Sequence, residues 1–469
     1  MVAVRRWIAL VPLAVMALVF MAGCEGEQGP AGPQGPPGGS ESQYTYAGNN
    51  GEDCYHCHAR TVASVLLTHH TMAYEDLAEG EKSQVDPYCL QCHTTGWDSP
   101  IAHGETEITT YGPDVNGYDD YWGVDGEEAA ERRAALEGVQ CESCHGAMGP
   151  DFNEHQPLLS FNDGMVGEES QSLCFKCHGT QIDEWSTSTH GNISPRTGSC
   201  APCHSAEGFI QANDPAYATF TFSTPYSVIG CVTCHDPHAG DLGSGNIHQL
   251  RQVGAVEVNY APGTEPGDDE RPRMEGYGPA QTCAQCHHAR RDNDNVAGQI
   301  DEGDGHFGPH HSAQMDMYIG AGCYEIDGAT YDTTHSHQYI PNACVDCHMV
   351  RETLLHGALQ DHSFHTFEPE VGSCTGCHTG WTDFTPVATF QATITAKLDE
   401  LAVLFGYIDF VDMEENWDSE AIGVEVWQRE AAYAAFFVFD DGSHGVHNPD
   451  YAMDLLQNAI DHYAAMDTK

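Results

Sequence analysis

Apolar residues are spread unevenly along this chain. A continuous apolar run from Trp7 to Met21 follows Arg5 and Arg6 and stops at Ala22-Gly23-Cys24. From there to about residue 385, amphipathic runs are few and are interrupted by many of the 49 glycines and 24 prolines. Beyond Trp381 the pattern changes. Residues 387–411 and 420–439 carry Ala, Leu, Val, Phe and Tyr at helical spacing. Asn448-Pro449 supplies an N-cap and a first helical residue for a segment running to about Met466. The pattern predicts a mainly α protein with extensive loops, little sheet, and its longest helices at the C-terminus.

So loop-rich a chain needs something else to pack around, and a repeated five-residue word supplies it. Cys-x-x-Cys-His occurs nine times, with the cysteine pairs Cys54 and Cys57, Cys89 and Cys92, Cys141 and Cys144, Cys174 and Cys177, Cys200 and Cys203, Cys231 and Cys234, Cys283 and Cys286, Cys344 and Cys347, and Cys374 and Cys377. The histidines that follow are His58, His93, His145, His178, His204, His235, His287, His348 and His378. This word attaches c-type haem: two thiols bond the porphyrin and the adjacent imidazole becomes the proximal iron ligand. Zinc knuckles or disulfides would use the cysteine pairs but would not require a histidine after every second cysteine. The expected cofactor is nine haem c groups with their iron, which take the place of an ordinary core.

The termini and the charge narrow the setting. The apolar run reads as an export signal, and the small residues before Cys24 read as a lipoprotein cleavage site with Cys24 lipidated. Four Gly-x-y triplets from Gly26 to Pro37 then form a semi-extended tether. Acidic residues outnumber basic ones by 70 to 17, a formal charge of -53, and only four lysines occur, Lys82, Lys176, Lys397 and Lys469. That balance argues against nucleic acid as a partner and favours basic partner proteins, cations or a saline habitat. Arg290-Arg291 is the densest positive charge after the export signal and is expected to bind haem propionates or an anionic substrate. Cys323 has no partner once the motifs and Cys24 are set aside, and is expected to be a buried free thiol or half of a cross-chain disulfide.

Twenty of the 29 histidines lie outside the proximal positions, enough to close every iron with a second imidazole. The candidate distal ligands are His70, His103, His155, His190, His238, His311, His337, His362, His365 and His447. Doublets at His69-His70, His310-His311 and His335/His337 leave the choice within each pair open, and a methionine would serve at one site. No catalytic residue is legible, because the sequence does not say whether any iron keeps an open position.

The run Gly308-Pro309-His310-His311-Ser312-Ala313-Gln314, with His335-Ser336-His337, Cys344 to Met349 and His362-Ser363-Phe364-His365-Thr366-Phe367, resembles the multihaem cytochrome c superfamily of bacterial respiratory chains. The tail Asp441 to Pro449 is similar to the C-terminal segment of its pentahaem nitrite reductases and octahaem hydroxylamine-type enzymes. The resemblance implies closely stacked haems and a distal role for His447. The Cys-x-x-Cys-Lys motif typical of the pentahaem enzymes is missing here, which weighs against catalysis.

These readings divide the chain into an export signal (1–23), a lipid-anchored tether (24–43), a region with six haem motifs (44–240), an acidic loop or linker (241–278), a region with three motifs (279–385) and C-terminal helices (386–469). The expected function is transfer of electrons along stacked bis-histidine haems between a respiratory donor, quinol-linked or another cytochrome, and a periplasmic or extracellular acceptor. An electron-transfer protein is favoured over an enzyme. The alternatives are a reductase or oxidase of nitrite, hydroxylamine or tetrathionate with one open haem, and a subunit of an extracellular cytochrome filament, hence a homo-oligomer. The expected location is the cell envelope, by lipid anchor at the outer membrane, facing the periplasm or the surface.

Overall fold

The computed structural model describes residues 45–80, 86–102, 104–112, 116–149, 173–240, 246–302, 308–353, 361–417 and 425–467. The export signal, Cys24, the Gly/Pro tether, His103 and His155 lie outside the described residues.

The described chain is mainly helical with little sheet, in short pieces joined by loops. Helices of four to seven residues carry many of the haem motifs, as at Pro87–His93, Cys141–His145, Ala201–His204, Cys231–Cys234 and Cys344–His348. Such helices are too short to be stable by propensity alone, and local caps start them. The Asp86 carboxylate accepts from the Tyr88 N–H at 2.9 Å with Pro87 in the first turn, and Thr233 Oγ1 accepts from the Gly230 N–H at 3.1 Å. Among the described residues, sheet is confined to two short antiparallel pairs, Val256–Glu257 with Arg273–Met274 and Arg351–Thr353 with Asp361–Ser363.

The C-terminal helices are Thr385–Leu404, Phe410–Asn416, Val426–Asp440 and Pro449–Asp467. Asn448 Oδ1 caps the last by accepting from the Tyr451 N–H at 3.1 Å. The Val426–Asp440 helix is apolar nearly all round, with Ala431 to Val438 buried without a break, and a helix of that kind must sit at the centre of a core. It packs against Pro449–Asp467 and Thr385–Leu404 through Leu398, Leu401, Leu455 and Leu456, each burial stabilising by about 1.5–3 kcal/mol.

Two departures from the sequence pattern stand out. The C-terminal core also takes in Ala289, Val296, Ile300, Met317, Cys323 and Ile326, from the region of the last three motifs. Cys323 is a buried free thiol whose pKa burial pushes well up. The 241–278 stretch, expected as an exposed linker, is packed along its flanks. Val258 and Met274 are fully buried, and the buried Arg271 guanidinium donates to the carbonyls of Val258 and Glu265 at 2.7 and 2.8 Å. An arginine that satisfies backbone carbonyls lets this polar segment close over an apolar floor, while its tip, residues 265–270, and parts of its flanks such as Ile247 and Val253 stay exposed.

Candidate haem-binding sites

Numbering the sites 1 to 9 by chain order, seven motif histidines face a second histidine ring among the described residues. The pairs and centroid separations are His145/His238 at 6.2 Å (site 3), His178/His70 at 6.1 Å (site 4) and His204/His310 at 6.1 Å (site 5). The others are His235/His365 at 6.5 Å (site 6), His287/His190 at 5.9 Å (site 7), His348/His447 at 6.2 Å (site 8) and His378/His337 at 6.3 Å (site 9). Two imidazoles on one metal ion stand about 6 Å apart, twice a metal–nitrogen bond of about 2 Å plus twice a ring radius of ~1.1 Å. The spacing therefore fits one iron between each pair. Each motif histidine stands one residue from its cysteine pair, so thiols and imidazole lie on the same side of each gap, as covalent haem requires. Among the described residues, no three His, Cys, Asp or Glu side chains gather as a zinc tetrad would need.

Hydrogen bonds fix which nitrogen faces the gap. Nδ1–H of His93 donates to the Ala73 carbonyl at 2.6 Å, of His235 to His248 at 2.7 Å, of His348 to Phe367 at 2.9 Å and of His337 to Val446 at 3.0 Å. A carbonyl only accepts, so each of these rings carries its proton on Nδ1 and leaves the Nε2 lone pair for a metal. His287 Nδ1 is held by Gln314 Oε1 at 3.3 Å. His447 is set apart: its Nδ1 donates to the Asp441 carboxylate at 2.5 Å, and Asp441 is 1% exposed. Trp381 stacks on His378 with centroids 4.1 Å apart.

Burial favours the neutral form, the one that binds metal, at several of these imidazoles. It pulls His70 down to about 4, helped by His178 and His69, and His190 to about 4, helped by His287. His235 also falls to about 4: burial outweighs its bond to the His248 carbonyl, and His365, His248 and His178 push the same way. His447 goes the other way, because the charge and hydrogen bond of Asp441 outweigh burial.

Of the distal candidates, His70, His190, His238, His337, His365 and His447 stand opposite motif histidines. Within the doublets the two rings face different ways. At His310-His311 it is His310, absent from the candidates, that faces His204. His311 is turned to the Asp440 carboxylate at 2.5 Å with its side chain 71% exposed, so of this doublet the His310 ring is the one opposite a motif histidine. Both residues have positive φ, 71° and 26°, and their rings stand at 64° to one another; the sequence signal was only the doublet after Gly308-Pro309. His335 spends its Nε2 on the Tyr318 carbonyl at 2.6 Å, leaving His337 for site 9. His362 lies on a strand, its backbone paired with Glu352. Arg291 donates to the Gly308 carbonyl at 2.5 Å. Arg290 is exposed and, with Arg196, lies near His204, whose pKa is lowered by burial first and then by these two charges.

Comparison with known proteins agrees in kind. A family model described as cytochrome c552 matches residues 329–469, and one described as cytochrome c554 and c-prime matches residues 53–116 and 105–146. The chain is similar to multiheme cytochrome MtrA of Shewanella baltica (strain OS185), 27% identical over 168 residues. That match spans 34% of this chain and 45% of the relative's length. Two solved structures align at a TM-score of 0.49 and 17% identity. The outer cell wall cytochrome OcwA covers 89% of this chain and 99% of its own, and the undecaheme cytochrome from the S-layer of Carboxydothermus ferrireducens covers 92% and 70%.

Proposed function

Because the chain is a multihaem c-type cytochrome, we propose that it holds nine haem c groups and passes electrons along them between a respiratory donor and a periplasmic or extracellular acceptor. The observation that carries this proposal is the set of seven imidazole pairs at 5.9–6.5 Å. Bound between such a pair, haem c would supply a one-electron iron couple.

The protein's own residues do the rest. Cysteine pairs fix each porphyrin covalently, and carbonyls on Nδ1 hold the imidazoles in one tautomer and orientation. Imidazoles held rigidly in this way would keep each site little changed between oxidation states, which is what conduction requires. Substrate turnover would require an open position instead. Export, lipidation at Cys24 and anchoring in the cell envelope complete the proposal. No helix among the described residues is long and apolar enough to cross a membrane.

Carbon monoxide tests the proposal. Added to the dithionite-reduced, fully loaded protein, it should leave the visible spectrum unchanged. A difference spectrum amounting to one haem in nine would reveal an open iron and replace conduction with catalysis on a small nitrogen or sulfur compound.

A further inference from the structure

Contacts between thiols of different motifs trace an order that differs from chain order. Cys54 of site 1 adjoins Cys141 of site 3, whose Sγ lies 2.9 Å from where a Cβ on Gly51 would stand. Cys144 of site 3 interacts with Cys174 of site 4, and Cys174 in turn adjoins Cys231 of site 6, which packs beside Trp185 of the helix that follows site 4, whose indole N–H donates to the Ile229 carbonyl at 2.9 Å. Cys234 of site 6 interacts with Cys283 of site 7, and Cys283 adjoins Cys344 of site 8. Cys347 of site 8 interacts with Cys374 of site 9.

Two contacts leave this line. Cys177, the second thiol of site 4, adjoins Cys92 of site 2, and its Sγ lies 3.9 Å from the Cys92 carbonyl. Cys286, the second thiol of site 7, adjoins Cys203 of site 5, with its Sγ 3.8 Å from the Pro202 carbonyl. Imidazoles repeat four of the trunk neighbours. His238 of site 3 interacts with His58 of site 1, His178 of site 4 with His365 of site 6, His287 of site 7 with His348 and His447 of site 8, and His337 of site 9 with His447.

We infer that the nine attachment sites form a branched chain: a trunk in the order 1, 3, 4, 6, 7, 8, 9, with site 2 a spur on site 4 and site 5 a spur on site 7. The two junctions come about in the same way. At sites 4 and 7 the first cysteine of the motif meets only trunk thiols, while the second adjoins the spur and also interacts with a trunk thiol, Cys144 for Cys177 and Cys234 for Cys286. Sites 4 and 7 therefore each have three neighbours, and site 6 is the single bridge between the two halves. Electrons crossing the molecule between sites 1 and 9 do not need sites 2 or 5. The spur tips serve as side stores or side exits. The site 5 tip stands beside Arg196 and Arg290 in a protein of formal charge -53, so its electrostatic setting differs from that of the trunk.

This order rests on the haem reading above, and the test separates the two. In the loaded protein, His190→Met at site 7 and His310→Met at site 5 each keep an axial ligand while raising one potential; covalent haem content verifies loading of each variant. In a potentiometric titration followed by electron paramagnetic resonance, His190→Met displaces the midpoints of three other haems, and His310→Met displaces one. Transit between the two ends of the trunk slows about tenfold for every 59 mV of displacement in His190→Met and slows far less in His310→Met. Equal effects of the two variants overturn the branched order while haem binding stands, whereas a protein without covalent haem overturns the reading beneath it. Iron positions located by anomalous diffraction from the unsubstituted protein decide the matter should a variant misfold. One iron neighbour each for sites 2 and 5 supports the order, and an unbranched line of nine refutes it.

Discussion

Asp441→Asn isolates one carboxylate's hold over one haem. Asp441 is buried, its Oδ1 lies 2.5 Å from His447 Nδ1, and its other oxygen accepts from the Ser443 N–H at 3.2 Å. The His447 and His348 ring centres are 6.2 Å apart, so the midpoint where an iron fits is half that from the His447 ring. Adding the hydrogen bond and half a ring places the carboxylate charge roughly 6–7 Å from that point, where a unit charge contributes about 2.5 kcal/mol at an effective dielectric constant of about 20. At 59 mV for each tenfold change in a one-electron equilibrium, or 1.36 kcal/mol, this is on the order of 100 mV. The negative charge favours the oxidised iron, so its removal raises the potential. Asparagine keeps an acceptor for the Nδ1–H and nearly the same volume, so the imidazole stays in place. A spectroelectrochemical titration of the loaded variant should show one haem of nine moved upward by that order, with the other eight much less affected. A downward movement, or a largest displacement below about 20 mV, would refute the electrostatic reasoning, since even a dielectric constant several times larger leaves a bigger effect than that.

Other substitutions probe the remaining features. His310→Ala should create one carbon monoxide-binding haem in the reduced protein and His311→Ala none; the reverse result would show that the doublet had been assigned to the wrong ring. Burial pushes Asp316 up from 3.8 to about 7, against hydrogen bonds from backbone N–H groups including Ala289 at 2.6 Å, with Asp441 adding to the rise. Its folded pKa lies above the unfolded one, so between about pH 4 and 7 the native state holds a proton that the unfolded chain has lost, and stability falls as pH rises through that window. Asp316→Asn should shrink the difference in Tm between pH 5 and pH 8; an unchanged difference would mean that other groups set it. Gly322→Ala sets a Cβ 2.4 Å from Asp316 Oδ1 at a φ of +86°, which should cost roughly 1–3 kcal/mol. Thermal melting checks that cost, and a Tm equal to that of the native protein would show that Asp316 can move aside.

What was legible in the sequence was local in origin. Two thiols and an imidazole that serve one porphyrin must stand within a single helical turn, so the word that encodes them is continuous in the chain. The C-terminal helices were visible for the same reason, since an apolar face repeats along the helix that bears it and Asn448 caps the helix it precedes. Local pattern is silent on encounters between distant segments. The ring facing His348 comes from His447, and the one facing His235 comes from His365. Within the His310-His311 doublet, backbone conformation and the Asp440 carboxylate decide which ring turns inward, though the two side chains are chemically identical. The 241–278 stretch has the composition of a linker, yet Arg271 bonds its carbonyls and seats Val258 and Met274 in a core. The order of the nine sites is likewise tertiary. Motif spacing along the chain says how far apart two sites are allowed to be, while contacts such as Cys177 with Cys92 and Cys286 with Cys203 depend on which faces of separate short helices meet.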